Sequence, residues 1–124
     1  MKPINTRGVM VVLVVMVVLA AFACSALPTE EPPGVGEKAE RGYAACSLII
    51  HALEQYHSEK GEYPESLAEL TPDYLAAIPT EVNDEPISYT KTEESFSLSF
   101  YYIGPGMNVC TFTPEEQWQC SGAY

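Results

Sequence analysis

Few side chains in this 124-residue sequence have chemistry to offer: four cysteines, two histidines and a surplus of carboxylates. His51, Glu54 and His57 follow the pattern H-x-x-E-x-x-H, which puts three possible metal ligands on adjacent helical turns. In a helix, however, those two histidines stand about 120° apart around the axis and about 9 Å apart along it, whereas zinc-binding helices present two histidines one turn apart on one face. His51 is therefore expected in solvent, and His57 near the carbonyl end of its helix, where a donor is useful. No metal and no cofactor is expected. No G-x-S-x-G, P-loop or zincin spacing occurs in the chain. The pairs Glu93-Glu94 and Glu115-Glu116 read as solvated turn residues, because an acid/base pair needs two opposed environments. The residues point away from an enzyme.

The cysteines divide by position. Cys24 ends Val9–Ala23, fifteen residues that are all Val, Met, Leu, Ala or Phe, with Lys2 and Arg7 ahead of them. Positive charge stays in the cytoplasm, so the chain beyond the apolar run is expected to be exported. Ala20-Ala21-Phe22-Ala23-Cys24 resembles a bacterial lipobox, in which the cysteine thiol accepts a lipid, and Ser25 at the next position resembles the outer-membrane sorting rule. Two other outcomes stay open. The uncharged stretch from Gly8 to Leu27 is long enough to cross about 30 Å of hydrocarbon uncleaved, and Ala21-Phe22-Ala23 also suits ordinary signal cleavage.

Charge limits the partners. All 17 acidic residues lie beyond position 29, where only Lys38, Arg41, Lys60 and Lys91 oppose them. Nucleic acid is not expected as a partner, since phosphate repels such a chain and no basic stripe exists to release counterions. With 47% hydrophobic residues, the chain should nevertheless fold.

The elements that must position these side chains are set by periodicity. Leu27–Gly36 is rich in proline and glycine and reads as a tether. From about Lys38 to Lys60, Ala45, Cys46, Ile49, Ile50, Leu53 and Tyr56 fall within one helical stripe, with Glu37 and Glu40 at its start and Lys60 and Gly61 at its end. Cys46 sits mid-stripe and reads as a buried, inert thiol, with an intermolecular bridge or a reactive site as the alternatives. Ser66 with Glu69, and Thr71 ahead of Pro72, predict two short helical turns ending at Pro79, from which Leu67, Leu70, Tyr74, Leu75 and Ile78 fold back onto the helix. After a polar turn at 83–86 the chain adopts period two: Phe96, Leu98, Phe100 and Tyr102 face one way, and Ser95, Ser97, Ser99 and Tyr101 the other. Segments 87–91 and 108–113 flank that strand and predict an antiparallel meander. If Pro114-Glu115-Glu116 is a three-residue loop, Phe112 stands opposite Trp118 and Cys110 opposite Cys120, within reach of a disulfide. Such a bridge would contribute about 2.7 kcal/mol in the chain-entropy model. The fold class is thus α+β, divided into a signal or anchor over 1–23, a linker over 24–37 and a domain over 38–124.

Tyr56-x4-Gly61-x-Tyr63-Pro64-x2-Leu67-x2-Leu70, then Tyr74-Leu75-x2-Ile78-Pro79, then Pro86-x2-Tyr89 and a strand, resembles the soluble domain of type II secretion pseudopilins and type IV pilins. The resemblance covers roughly Lys38 to Ile103 and implies one long helix on a small antiparallel sheet, with a carboxy-terminal disulfide loop that Cys110 and Cys120 would supply. It implies a non-enzymatic structural or protein-interaction module of the bacterial cell envelope, facing the periplasm or exterior. The membrane, reached by lipid or helix, and envelope or secretion-system proteins are the expected partners, with Tyr101, Trp118 and Tyr124 as candidate contacts. As an alternative, the resemblance implies a minor pseudopilin cut after Gly8. The fifth residue beyond Gly8 is Leu13, where filament subunits normally carry glutamate, and Pro28, Pro32 and Pro33 interrupt the continuous rod that filament packing uses.

Overall fold

The computed structural model describes residues 30–104 and 106–123, together with residues 3, 5–8, 10, 11 and 14. Residues 1–30 and 31–124 form two separate units. In the first, Thr6–Gly8, Met10, Val11 and Val14 are helical, and the Gly8 N–H donates to the Asn5 carbonyl at 2.8 Å. Cys24 and most of the apolar run lie outside the described residues, so the expected lipid site and anchor do too. Among the described residues, no helix is long and apolar enough to cross a membrane.

The second unit is α+β: one long helix and two antiparallel sheets. Helix α1 spans Glu37–Lys60. Glu37 and Glu40 sit in its first turn, where they favour the amide ends, and His57 and Lys60 sit in its last. It stops at Gly61, which takes φ 78° and returns its N–H to the His57 carbonyl at 2.8 Å. Strands β1 (Glu81–Val82) and β2 (Glu85–Pro86) make a small hairpin whose turn residues, Asn83 and Asp84, both have positive φ, 56° and 64°. Asn and Asp tolerate that conformation because their short polar side chains bond locally. Strands β3 (Ser88–Lys91), β4 (Phe96–Gly104), β5 (Gly106–Thr113) and β6 (Gln117–Ala123) form the meander, in that spatial order.

Helix and meander share one core. Phe96, Leu98, Phe100 and Tyr102 are buried in strict alternation along β4, as period two requires. Facing them, α1 buries Ala39, Gly42, Cys46, Ile49, Ala52 and Leu53. This seam is rotated from the expected stripe: Ala45, Ile50 and Tyr56 sit only half-buried at its margins. Gly42 causes the rotation. A Cβ placed there would lie 2.1 Å from Cε2 of Phe100, so the ring occupies the space a side chain would take.

The segment after α1 departs from expectation at one point. The Ser66 N–H donates to the Glu69 carboxylate at 3.0 Å, as the capping box predicts, and opens a 3-10 turn over Leu67–Leu70. The second turn forms at 71–74, where the Tyr74 and Leu75 N–H groups donate to the Leu70 carbonyl at 2.9 and 3.0 Å, but it does not continue as a helix. Thr71 directs its hydroxyl backwards to the Ala68 carbonyl at 3.0 Å, closing the first turn instead of capping another. Leu70 is fully buried, and Leu67, Tyr74, Leu75 and Ile78 pack around the core as expected. The Gly-x-Tyr-Pro step acts as a plug. Tyr63 stacks on His57 at 4.3 Å and meets Phe96 edge-on at 4.8 Å, while the Pro64 carbonyl accepts the Tyr89 hydroxyl at 2.7 Å.

Gly42→Ala is expected to destabilise the domain by about 2 kcal/mol, since overpacking against a ring with nowhere to move outweighs the gain in helix propensity. Chemical denaturation of Gly42→Ala beside Gly42→Ala/Phe100→Leu checks this, because the smaller side chain should recover part of the loss.

Candidate functional site

The strand alternation that fills the core also determines what the other side of the sheet offers. Pairing in the meander places Leu98 opposite both Tyr89 and Phe112, so every residue out of phase with these faces away from the helix. That outer face receives Ser88 and Thr90 from β3; Ser97, Ser99, Tyr101 and Ile103 from β4; Met107, Val109, Thr111 and Thr113 from β5; and Gln117, Gln119 and Ser121 from β6. None is charged, in a chain with 17 acidic residues. One end is hydroxyl and amide in character, with the Ser99 and Thr111 hydroxyls 2.8 Å apart. The other end is apolar: Ile103 is 56% exposed and Met107 58%, beside half-buried Tyr101 and Val109.

The carboxy-terminal hairpin has the expected register. Phe112 pairs with Trp118 and Cys110 with Cys120, around a loop at 114–116. Gln117 takes φ 61°, the left-handed conformation suited to leaving a three-residue loop. Cys110 and Cys120 are joined by a disulfide with Cα atoms 4.1 Å apart. Trp118 points to the helix side, not the outer face. It lies 4.9 Å from the Tyr43 ring and 5.4 Å from both Phe100 and Phe112, which leaves it half-buried. Of the three candidate contact residues, then, Tyr101 lies on the outer face, Trp118 is largely a packing residue, and Tyr124 lies outside the described residues.

Tyr43 was not singled out by its sequence context, yet it joins three elements. Its hydroxyl donates to the Gly34 carbonyl at 3.0 Å and lies 3.1 Å from Sγ of Cys120. The Gly34 N–H donates to the Tyr102 hydroxyl at 2.8 Å. Residues 34–36, read as part of a free tether, are therefore clasped between helix and sheet. Glycine is required at 34, where φ is 85° and a Cβ would come within 2.7 Å of the Cys120 sulfur. The only advance signal was Tyr43 itself, three residues before Cys46 and so on the same helical face.

Among the described residues, no three histidine, cysteine or carboxylate groups are placed to hold one metal ion. His51 is exposed, whereas His57 is half-buried on Tyr63 and shares a cleft of about 200 Å³ with Glu62, Glu93 and Glu94. Glu115 and Glu116 lie exposed in the hairpin loop. Cys46 is fully buried, and burial pushes its thiol up to about 12. Burial, with Glu65 and Glu69 nearby, likewise pushes the Tyr89 hydroxyl up to about 12. No protein-family profile, no curated protein and no solved structure matches the chain.

Both shifts lie above the unfolded values, so the neutral forms are favoured by folding. Their stabilisation is complete below about pH 9 and is lost as pH rises toward 12. Thermal unfolding from pH 7 to 12 should give a flat midpoint to about pH 9, then a fall that Tyr89→Phe makes shallower. At about pH 8, below both of those transitions, Cys46 should resist iodoacetamide in the native chain and react fully in denaturant, read by peptide mass mapping.

Proposed function

We propose that the chain is an exported, membrane-tethered, non-enzymatic protein of the bacterial cell envelope, with a pilin-like domain that works as a structural or protein-interaction module. The observation that carries this reading is the outer face of the meander. Acidic side chains crowd the rest of the domain, while a four-stranded face of roughly 400 Å² holds hydroxyls, amides and a few apolar groups without one charge. An uncharged face is the region of an acidic protein that can approach another protein without desolvating ions. Its area is about half of what one side of a stable complex buries, which suits a contact reinforced by tethering.

The cystine in the last hairpin supports export, because such bridges persist in oxidising compartments. The lipobox-like Ala20–Cys24 supports a lipid tether, and the Gly-x-Tyr-Pro plug between helix and sheet supports the pilin-like reading. The second reading, a minor pseudopilin processed after Gly8, draws on the same helix-and-meander arrangement.

Mass spectrometry of the natural amino terminus separates the two: acylated Cys24 is expected, and Val9 would indicate the pseudopilin. Labelling with a palmitate analogue should depend on Cys24 and vanish in Cys24→Ser. Substituting Tyr101→Glu in the apolar end should reduce partner cross-links in native envelopes severalfold without lowering the melting temperature by more than a few degrees.

A further inference from the structure

The two edges of the meander are finished differently. β3 is four residues long, carries Lys91 at its end, and leaves the rest of β4 to lie beside the β1–β2 hairpin. β6 runs for seven residues, Gln117–Ala123, with neither proline nor charge, two of the devices by which sheets blunt an open edge. The short separation of the Cys110 and Cys120 α-carbons, 4.1 Å, marks them as a pair that does not exchange backbone hydrogen bonds. The alternation then turns the N–H and C=O groups of Trp118, Cys120 and Gly122 outward, away from β5. Among the described residues, no backbone group beyond β5 bonds to β6. The clasp at Gly34 engages the tyrosine hydroxyls, and Pro33 and Gly34 pack against the inner side of Gly122 and Cys120 without a backbone hydrogen bond to this edge.

We propose that the β6 edge pairs with the β6 edge of a second copy of this chain, antiparallel about a two-fold axis at Cys120, to make a continuous eight-stranded sheet. This deepens the interaction-module reading and rests on it. Three observations favour a second copy. The unpaired groups need a strand, and β6 itself supplies one whose donors and acceptors match under two-fold symmetry. Full overlap sets Trp118 against Gly122 of the other copy and Cys120 against its own equivalent, which satisfies every outward group. The uncharged β6 permits this partner, and charge sets the orientation. Two such acidic chains can meet only where neither is charged, and antiparallel pairing holds the two Glu115-Glu116 loops at opposite ends, about 27 Å apart and beyond the screening length.

This register places Gln119 directly opposite Ser121 of the second copy, with both side chains exposed on the outer face. The test uses the full chain in detergent micelles and in membranes. Gln119→Glu/Ser121→Glu opposes like charges twice and should weaken self-association about tenfold. Gln119→Lys/Ser121→Lys should do the same, and mixing the two variants should restore dimers as heterodimers. Gln119→Lys/Ser121→Glu, self-complementary in this register alone, should dimerise at least as well as the natural chain. Sedimentation and native mass spectrometry read the stoichiometry; hydrogen exchange should show the Trp118, Cys120 and Gly122 amides protected in the dimer and open in the Glu variant.

A chain monomeric at about 1 mM, a concentration typical of tethered partners, would overturn the proposal, as would a dimer indifferent to these substitutions. Capture of a different protein's strand by a non-associating β6 would overturn the second copy while leaving the interaction-module reading intact. That reading fails separately, if native envelopes yield no partner of any kind.

Discussion

The domain depends on how closely one helix can approach one strand. At Gly42 the Phe100 ring lies where a Cβ would otherwise be, so α1 rides low on the sheet and its neighbours Ala39, Cys46, Ile49 and Leu53 reach full burial. The approach brings Tyr43, the next residue, within reach of the disulfide, Trp118 and the incoming chain at once. The aromatic cluster, the clasp on Gly34 and the packing of the last hairpin all depend on a missing side chain on the helix. An acidic domain of this size has little core to spare, and this contact uses it efficiently.

What the sequence made legible was whatever repeats or pairs. The period of two along β4, the glycine that ends α1 and the spacing of Cys110 from Cys120 each rest on local geometry, and each is found in place. Gly42 escaped because glycine adds nothing to a hydrophobic stripe, so the stripe from Ala45 to Tyr56 was centred too far round the helix. The β1–β2 hairpin escaped because two-residue strands carry no readable period, although Asn83-Asp84 was a turn signal. The clasp was invisible for another reason: Gly34 and Tyr102 are bonded across 68 residues, and neither has a pattern that names the other. Cys24 and Tyr124, on which the anchor and one contact were placed, lie outside the described residues.

Charge is sorted by surface in the second unit. α1, the connecting segments and the β1–β2 hairpin carry the carboxylates; several are engaged by tyrosine hydroxyls, as Glu59 is by Tyr74 at 2.6 Å, or by Lys91, which sits 2.5 Å from Glu65. The sheet's outer face carries none. Repulsion between like charges disfavours the approach of another acidic molecule except through that face or its free edge.

The clasp at Gly34 has a mechanical meaning. Any pull arriving from the amino-terminal side of the domain meets Gly34 before it meets α1, and passes through one hydroxyl on the helix, Tyr43, and one on the sheet, Tyr102. Helix and sheet are then loaded in parallel, so tension along the chain does not peel one from the other. The cystine beneath the clasp ties β6 to β5 at the point where that load is delivered.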